Sequence, residues 1–129
     1  MGKKRKGSYP WGGTDILMSD SNYKVKKVIV KPSQRQSYQS HSQRAEAWIV
    51  VSGEGQINLD GEISDIAQAA IVTIPPQMKH RISNTSDTKP LVFVEFQIGD
   101  YLEEDDIVRH DDDYGRHQDN WTDVDADFL

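Results

Sequence analysis

The chain has 129 residues, the length of about one domain, and carries 15 Lys and Arg against 21 Asp and Glu. The resulting net charge of −6 excludes a general nucleic-acid-binding surface, and the absence of cysteine excludes disulfides, thiolate zinc sites and thiol nucleophiles. No apolar run approaches the roughly 18 residues of a membrane span, so we expect a cytoplasmic protein with neither membrane nor nucleic acid as a partner.

The first third of the chain contains one clear strand between polar segments. Residues 1–8 are basic and interrupted by glycine, so we predict a flexible tail. Residues 9–13 contain a tyrosine, a proline and a tryptophan, which we expect to anchor the start of the domain. The span 23–30 predicts a strand because valines are interspersed with lysines, and Pro32 ends it. Residues 33–44, rich in Gln and Ser, are either a loop or a polar strand that lines a pocket.

The strongest strand pattern lies at 45–52, where Glu46, Trp48 and Val50 share one face. A Gly-x-Gly sequence then predicts a tight turn or bulge, and the Asp-Gly pair at 60–61 predicts a two-residue hairpin. The same reasoning, with proline and glycine as breakers, predicts further strands at 56–59, 71–74, 80–84 and 91–98.

The strand at 91–98 is apolar on one face and carries Glu95 and Gln97 on the other. We expect both faces to be at least partly buried, as in a strand between two layers or at the contact of a homodimer. The one position where we predict a helical turn is the segment after Gly99. Residues 117–129 are polar, and we predict a C-terminal tail there.

Short strands at a spacing of about ten residues, with almost no helical periodicity, predict an all-β sandwich or barrel. We place this single domain at residues 9–116. In such a fold alternate residues of each strand point inward, so side chains from neighbouring strands converge.

Four side chains with metal-binding chemistry fall on such positions. Gln39 and His41 point to the same face of a strand, and Glu46 follows on the next strand after a short turn. His80 begins the strand at 80–84 and completes the set. One amide, two imidazoles and one carboxylate suit a divalent metal, and the alternatives are an ordinary polar loop or a sugar pocket without metal.

These positions form two motifs that resemble those of cupins, which are jelly-roll barrels, or double-stranded β-helices, with a metal inside. The first motif runs from Pro32 to Gly53, and the second runs from Pro75 through His80 to Asn84. Residues 9–116 more narrowly resemble the type II mannose-6-phosphate isomerase family, the cupin half of bifunctional mannose-1-phosphate guanylyltransferase/mannose-6-phosphate isomerase enzymes. The segments that carry this resemblance are 10–12, 23–26, 44–53, 95–102, 104–109 and 113–116.

The resemblance implies a metal-dependent isomerase that converts mannose 6-phosphate to fructose 6-phosphate through an enediolate, with zinc as the expected divalent metal at the four ligands. Such a reaction needs a base, for which Glu95 is the candidate; an edge-facing carboxylate paired with lysine is the equal alternative. The phosphate needs cations, and Arg44, Lys79 and Arg109 lie near the motifs, each with an ordinary surface cation as the alternative. The acidic residues 103–106 are interpreted as a solvated or capping segment rather than a metal cluster.

The chain also departs from the family. The departures are Tyr9 for an arginine, Ser42, Gln43 and Ala47 where a histidine-rich version is common, and Ser33 and Gln77 for turn glycines. They keep open a non-catalytic cupin that binds a sugar or a metal in polysaccharide or nucleotide-sugar metabolism and, less favoured, an iron-loaded dioxygenase. We find no Gly-rich nucleotide loop, so we expect no guanylyl transfer from this chain alone.

Overall fold

A computed structural model of the protein describes residues 6–116, and within them the chain forms eleven β-strands and no helix. The predicted all-β class is confirmed. No helix in this part of the chain is therefore long and apolar enough to cross a membrane. The strands are β1 (Lys6–Tyr9), β2 (Gly12–Ser19), β3 (Tyr23–Val30), β4 (Tyr38–Ser40), β5 (Arg44–Ser52), β6 (Glu54–Leu59), β7 (Glu62–Ala67), β8 (Ile71–Ile74), β9 (His80–Asn84), β10 (Leu91–Gly99) and β11 (Val108–Asp111).

The strands form two antiparallel sheets that share one core. The six-stranded sheet has the order β1-β2-β3-β10-β5-β8, and the five-stranded sheet has the order β11-β4-β9-β6-β7. Trp48 and Phe93 of the first sheet belong to the same buried cluster as Ile57 and Ile82 of the second. Two sheets packed through their apolar inner faces are the arrangement that the jelly-roll prediction requires.

The strand boundaries follow the pattern of β-branched residues and breakers. Strands β3, β8 and β9 have the predicted bounds, and β5, β6 and β10 are longer than predicted by one or two residues. The pair Asp60 and Gly61 forms the predicted hairpin, because Leu59 pairs with Glu62 and the two turn residues have φ angles of 50° and 92°. Such a turn matches the right-handed twist of its strands.

Two predictions at the ends of the domain are wrong. Residues 6–8, which we placed in a flexible tail, form most of β1 and pair with β2. The sequence of this edge strand has no alternation of apolar residues that would have predicted it. The strand is held by backbone hydrogen bonds to β2 rather than by burial of its side chains. The helical turn after Gly99 is absent: residues 100–107 form a bend and a turn that lead to β11. The remaining tail residues, 1–5 and 117–129, lie outside the described residues.

Strand β10 turns its polar face toward the interior. Glu95 and Gln97 are 6% and 0% exposed, whereas Phe96 and Ile98 on the opposite face are 37% and 56% exposed. The expectation that both faces are at least partly buried is therefore wrong for Phe96 and Ile98 within a single chain. Burying a carboxyl and an amide while exposing apolar side chains costs free energy, so the inner pair must have polar surroundings.

Ser33 and Gln77 occupy backbone positions that favour glycine. Their φ angles are 61° and 71°, in the left-handed region that costs a residue with a Cβ atom roughly 1 kcal/mol. The turn at Gln77 matters for the interior, because its backbone N–H donates to the carbonyl oxygen of His41 at 2.7 Å. The two departures from family glycines therefore strain turns without removing them.

Replacing this strained residue should stabilise the protein. Gln77→Gly is expected to raise the free energy of unfolding by about 0.5–1 kcal/mol, because glycine adopts this φ without a steric cost. Gln77→Ala removes the same exposed side chain but keeps the Cβ atom, so it should bring no gain. Urea unfolding of the three proteins without added metal measures the difference, and a glycine variant less stable than the alanine variant would contradict this account.

Candidate metal centre

The inward polar side chains meet in a cavity between the two sheets. Its lining combines imidazole, carboxyl, amide and cationic groups with the indole rings of Trp11 and Trp48. Seven of the eight site residues predicted from the sequence lie in this lining, namely Gln39, His41, Arg44, Glu46, His80, Glu95 and Arg109.

Three of these residues form a compact group. One ligand atom from each of His41, Glu46 and His80 lies within 4.8 Å of the others, and the residues are 5%, 4% and 2% exposed. Glu46 points inward because β5 alternates and places it on the same buried face as Trp48. His80 opens β9, and His41 follows β4 directly, so three separate segments bring the group together.

The imidazole of His80 has a defined orientation. Its Nδ1 lies 3.0 Å from the carbonyl oxygen of Met78, which accepts a hydrogen bond from that nitrogen. This bond places the lone pair of the neutral ring on Nε2, as is usual for histidines that bind metals. The ring also packs against His41, at a centroid distance of 5.3 Å, and edge-on to Trp48 at 5.8 Å.

Gln39 lies beside this group. It is the residue of β4 that pairs with His80 of β9, and its side chain lines the same cavity. Its amide nitrogen donates to the carbonyl oxygen of Ser37 at 3.3 Å, which leaves the amide oxygen available to bind an ion. Two imidazoles, one carboxylate and one amide oxygen make a nitrogen and oxygen donor set that fits the predicted divalent ion.

Burial and charge set the protonation states that such a site needs. Burial alone would raise the pKa of Glu46, but the Arg44 guanidinium outweighs it and holds that pKa well below its usual range. Glu46 also accepts a hydrogen bond from the indole nitrogen of Trp48 at 2.9 Å. Burial, reinforced by Arg44, lowers the pKa of His41 to about 3. A carboxylate and a neutral imidazole are the forms that bind a divalent cation.

Glu95 is the carboxyl group whose orientation the sequence left open. It faces the cavity and accepts a hydrogen bond from the side-chain amide of Gln97. Burial, and then the negative charge of Glu46, raises the pKa of Glu95 to about 7. A carboxyl group that titrates near neutral pH can both take up and release a proton, which is the property a general base requires.

The three predicted phosphate-binding cations have different positions. Arg109 lies on β11, pairs with Gln39 and lines the cavity. Arg44 lines it too, but its guanidinium contacts Glu46 and His41. Lys79 is exposed and absent from the lining, because it directly precedes the inward-pointing His80 and neighbouring residues of an extended chain point to opposite sides. The prediction of Lys79 as a site residue is therefore not supported by its position.

Sequence reasoning missed a partly buried ion pair in the same cavity. The ammonium group of Lys26 on β3 pairs with the carboxylate of Glu104, and both residues line the cavity. Burial alone would raise the pKa of Glu104, but Lys26 lowers it to about 2. The available signal was the alternation that puts Lys26 on the same face as Val28 and Val30, both buried. Glu104 is thus not part of a solvated segment.

The acidic segment also anchors the turn that carries His41. The carboxylate of Asp106 accepts hydrogen bonds from the backbone nitrogens of Ser42 and Gln43, at 3.1 and 2.9 Å, and from the Ser42 hydroxyl at 2.7 Å. The capping interpretation is confirmed for Asp106. Ser42, one of the departures from the family, therefore has a structural contact here.

Arg116 is a further cavity residue that sequence reasoning did not assign to the site. Its guanidinium binds the carboxylate of Asp112 at 2.9 and 3.0 Å and lies 5.4 Å from the ring centroid of Tyr114. It follows the last strand, where no alternation indicates a buried side. Its place in the family-like run 113–116 was the signal available.

Comparisons with known proteins agree with the family resemblance seen in the sequence. The family described as mannose-6-phosphate isomerase C-terminal matches residues 2–112. Over 107 residues the chain is 39% identical to mannose-1-phosphate guanylyltransferase ManC of Salmonella typhimurium and 42% identical to alginate biosynthesis protein AlgA of Pseudomonas aeruginosa. Both alignments cover 83% of this chain but 22% of the relative, so the chain spans about a fifth of the length of these curated relatives.

Among solved structures, the chain resembles a conserved protein with a double-stranded β-helix domain from Klebsiella pneumoniae. The TM-score is 0.63 at 19% identity, and the match covers 69% of this chain and 77% of the other. At this identity the likeness concerns the fold alone, and it confirms the predicted double-stranded β-helix.

Proposed function

The chain belongs to the mannose-6-phosphate isomerase C-terminal family, and on that premise we propose that it is a metal-dependent isomerase of mannose 6-phosphate and fructose 6-phosphate. The observation that carries the proposal is the meeting, in one cavity, of the compact and buried His41, Glu46 and His80 group with Glu95, whose pKa is raised to about 7. An ion site beside a carboxyl group that titrates near neutral pH has the parts that aldose–ketose isomerisation requires.

Each part of the cavity then has a defined task. Glu95 takes the proton from C2 of the open-chain sugar to give the enediolate and returns it to C1, while the hydroxyl proton of O2 moves to O1. Arg109 and Arg116 supply planar guanidinium groups for the phosphate. A divalent ion, zinc by donor type, held by Gln39, His41, Glu46 and His80 would stabilise the negative charge that develops on the sugar oxygens.

The direct test is an assay of the purified chain. The zinc-loaded protein should form fructose 6-phosphate from mannose 6-phosphate and exchange the C2 hydrogen with solvent in heavy water. An authentic isomerase run in parallel controls for the assay. Saturable binding of mannose 6-phosphate without exchange would instead favour the alternative, a non-catalytic cupin of polysaccharide or nucleotide-sugar metabolism. The name of one relative, alginate biosynthesis protein AlgA, supports a role in polysaccharide biosynthesis.

We also propose that two copies pack through the outer face of the six-stranded sheet to form the predicted homodimer. This face exposes Phe96 and Ile98 of β10, together with Ile49 of β5. Its β2–β3 part places Asp15 opposite Lys27, so these two opposite charges offset each other and do not oppose packing on a copy of the face. Sedimentation velocity should give the mass of two chains, and a monomer at all concentrations would reject the dimer.

A further inference from the structure

The guanidinium of Arg44 lies among the metal-binding side chains themselves. Its Nε donates to Oε2 of Glu46 at 2.7 Å, and its Nη2 lies 3.0 Å from Nε2 of His41. The side chain is 4% exposed, so water does not screen these contacts. A cation of the protein thus contacts two of the residues that the divalent ion would use.

The contact between Arg44 and His41 and the binding of a metal ion by His41 exclude each other. A neutral imidazole has one nitrogen with a lone pair and one with a hydrogen. Because Arg44 can only donate, its contact uses the lone pair on Nε2 of His41 and puts the hydrogen on Nδ1. If Nδ1 bound an ion instead, Nε2 would carry the hydrogen and would face an Arg44 N–H group. Either way, His41 binds an ion only after Arg44 gives up this contact.

Glu46 has the same conflict in weaker form. Its Oε1 accepts a hydrogen bond from Trp48 and its Oε2 accepts one from Arg44, at 2.9 and 2.7 Å. An ion that shares Oε2 would stand close to a unit positive charge. Nη1 of Arg44 is buried and has no hydrogen-bond partner among residues 6–116. The guanidinium is therefore only partly satisfied where it lies, which lowers the cost of moving it.

We propose that Arg44 is an internal cation that competes with the divalent metal for His41 and Glu46. It neutralises the buried carboxylate of the metal-free protein and leaves both ligands when an ion binds. This inference rests on the metal site of the proposed function. Arg44 acts through the ligands and not on the substrate, so it is a positioning residue. Under this proposal Arg44 weakens metal binding, whereas a residue that merely holds Glu46 in place would strengthen it.

The experiment is a zinc titration of three metal-free proteins, measured by isothermal titration calorimetry. The proteins are wild type, Arg44→Met and Arg116→Met. Arg44→Met keeps an unbranched side chain but removes the competing charge and donors, so zinc should bind at least about tenfold more tightly than to wild type. Arg116→Met removes the same charge from the same cavity, where its guanidinium binds Asp112. This control should change zinc affinity much less.

The outcomes separate the competition from the metal site itself. Tighter binding by Arg44→Met, or binding by this variant alone, supports the competition. Equal or weaker binding by Arg44→Met, with zinc bound by wild type, overturns the competition and leaves the proposed function intact. Failure of every protein to bind zinc overturns the metal site and the competition together.

A second measurement covers an Arg44→Met variant that does not fold. In metal-free wild type the Nε–H signal of Arg44 in a ¹⁵N spectrum should be protected from exchange by its bond to Glu46. One equivalent of zinc should shift that signal and remove its protection. A signal that stays unchanged while zinc binds would overturn the competition.

Discussion

Glu95→Gln is expected to lower kcat for the conversion of mannose 6-phosphate by about 10²–10⁴-fold, the usual contribution of a general base. The amide keeps the size of the carboxyl group and can still contact Gln97, but it cannot accept the C2 proton. Exchange of that hydrogen with heavy water should fall by the same factor, whereas zinc content and KM should change little. Coupled detection of fructose 6-phosphate, with NMR of the exchanged position, measures both effects.

A matched control is Glu103→Gln, which removes a carboxylate from an exposed position of the same chain. It should leave kcat and exchange unchanged. If Glu95→Gln retained wild-type exchange, the base would have to be another group, and the buried carboxyl of Glu95 would have a structural role only.

The pH dependence of stability provides a readout that does not depend on turnover. Because burial raises the pKa of Glu95 from 4.5 to about 7, the folded protein binds this proton more tightly than the unfolded chain. The contribution of Glu95 to stability is thus full below pH 4.5 and is lost as pH rises through about 7. In metal-free protein, Glu95→Gln should remove this loss between pH 5 and 8, as measured by urea unfolding.

His80→Ala is expected to weaken zinc binding by at least about 100-fold and to abolish isomerase activity. The substitution removes the imidazole whose Nδ1 is fixed by the Met78 carbonyl and whose Nε2 is the proposed ligand atom. Among residues 6–116, His41 is the only other histidine in the compact group. Metal content by mass spectrometry of the purified protein, and activity after zinc addition, measure the effect.

The matched control is His110→Ala, which removes an exposed histidine that contacts the Ser40 hydroxyl at 2.9 Å on the outer side of β4 and β11. Zinc content and activity should stay at the wild-type level. Circular dichroism should show that both variants fold. Full zinc binding by a folded His80→Ala protein would contradict the four-ligand site.

The sequence by itself determined six of the eleven strands among residues 6–116, and it predicted the residues of the candidate metal group. Alternation with a period of two identifies the buried face of β5, and the proline and glycine breakers locate the ends of β3, β8 and β9. The same periodicity predicted Gln39 and His41 on one face of a strand, but β4 ends at Ser40 and His41 reaches the cavity from the next residue, whereas His80 opens β9 as predicted. These are local properties of the chain, so they can be predicted without knowing which strands are neighbours.

Only the tertiary structure decided which charged side chains join the cavity. Both faces of β10 contain apolar residues, so periodicity could not tell that Glu95 points inward until β3 and β5 were placed on either side. The pairing of Lys26 with Glu104 joins residues 78 positions apart, and Arg109 reaches the site because β11 pairs with β4. Such contacts depend on strand order and on paths of loops, which no local pattern encodes. For the same reason the position of Arg44 between His41 and Glu46 could not be read from its place in the motif.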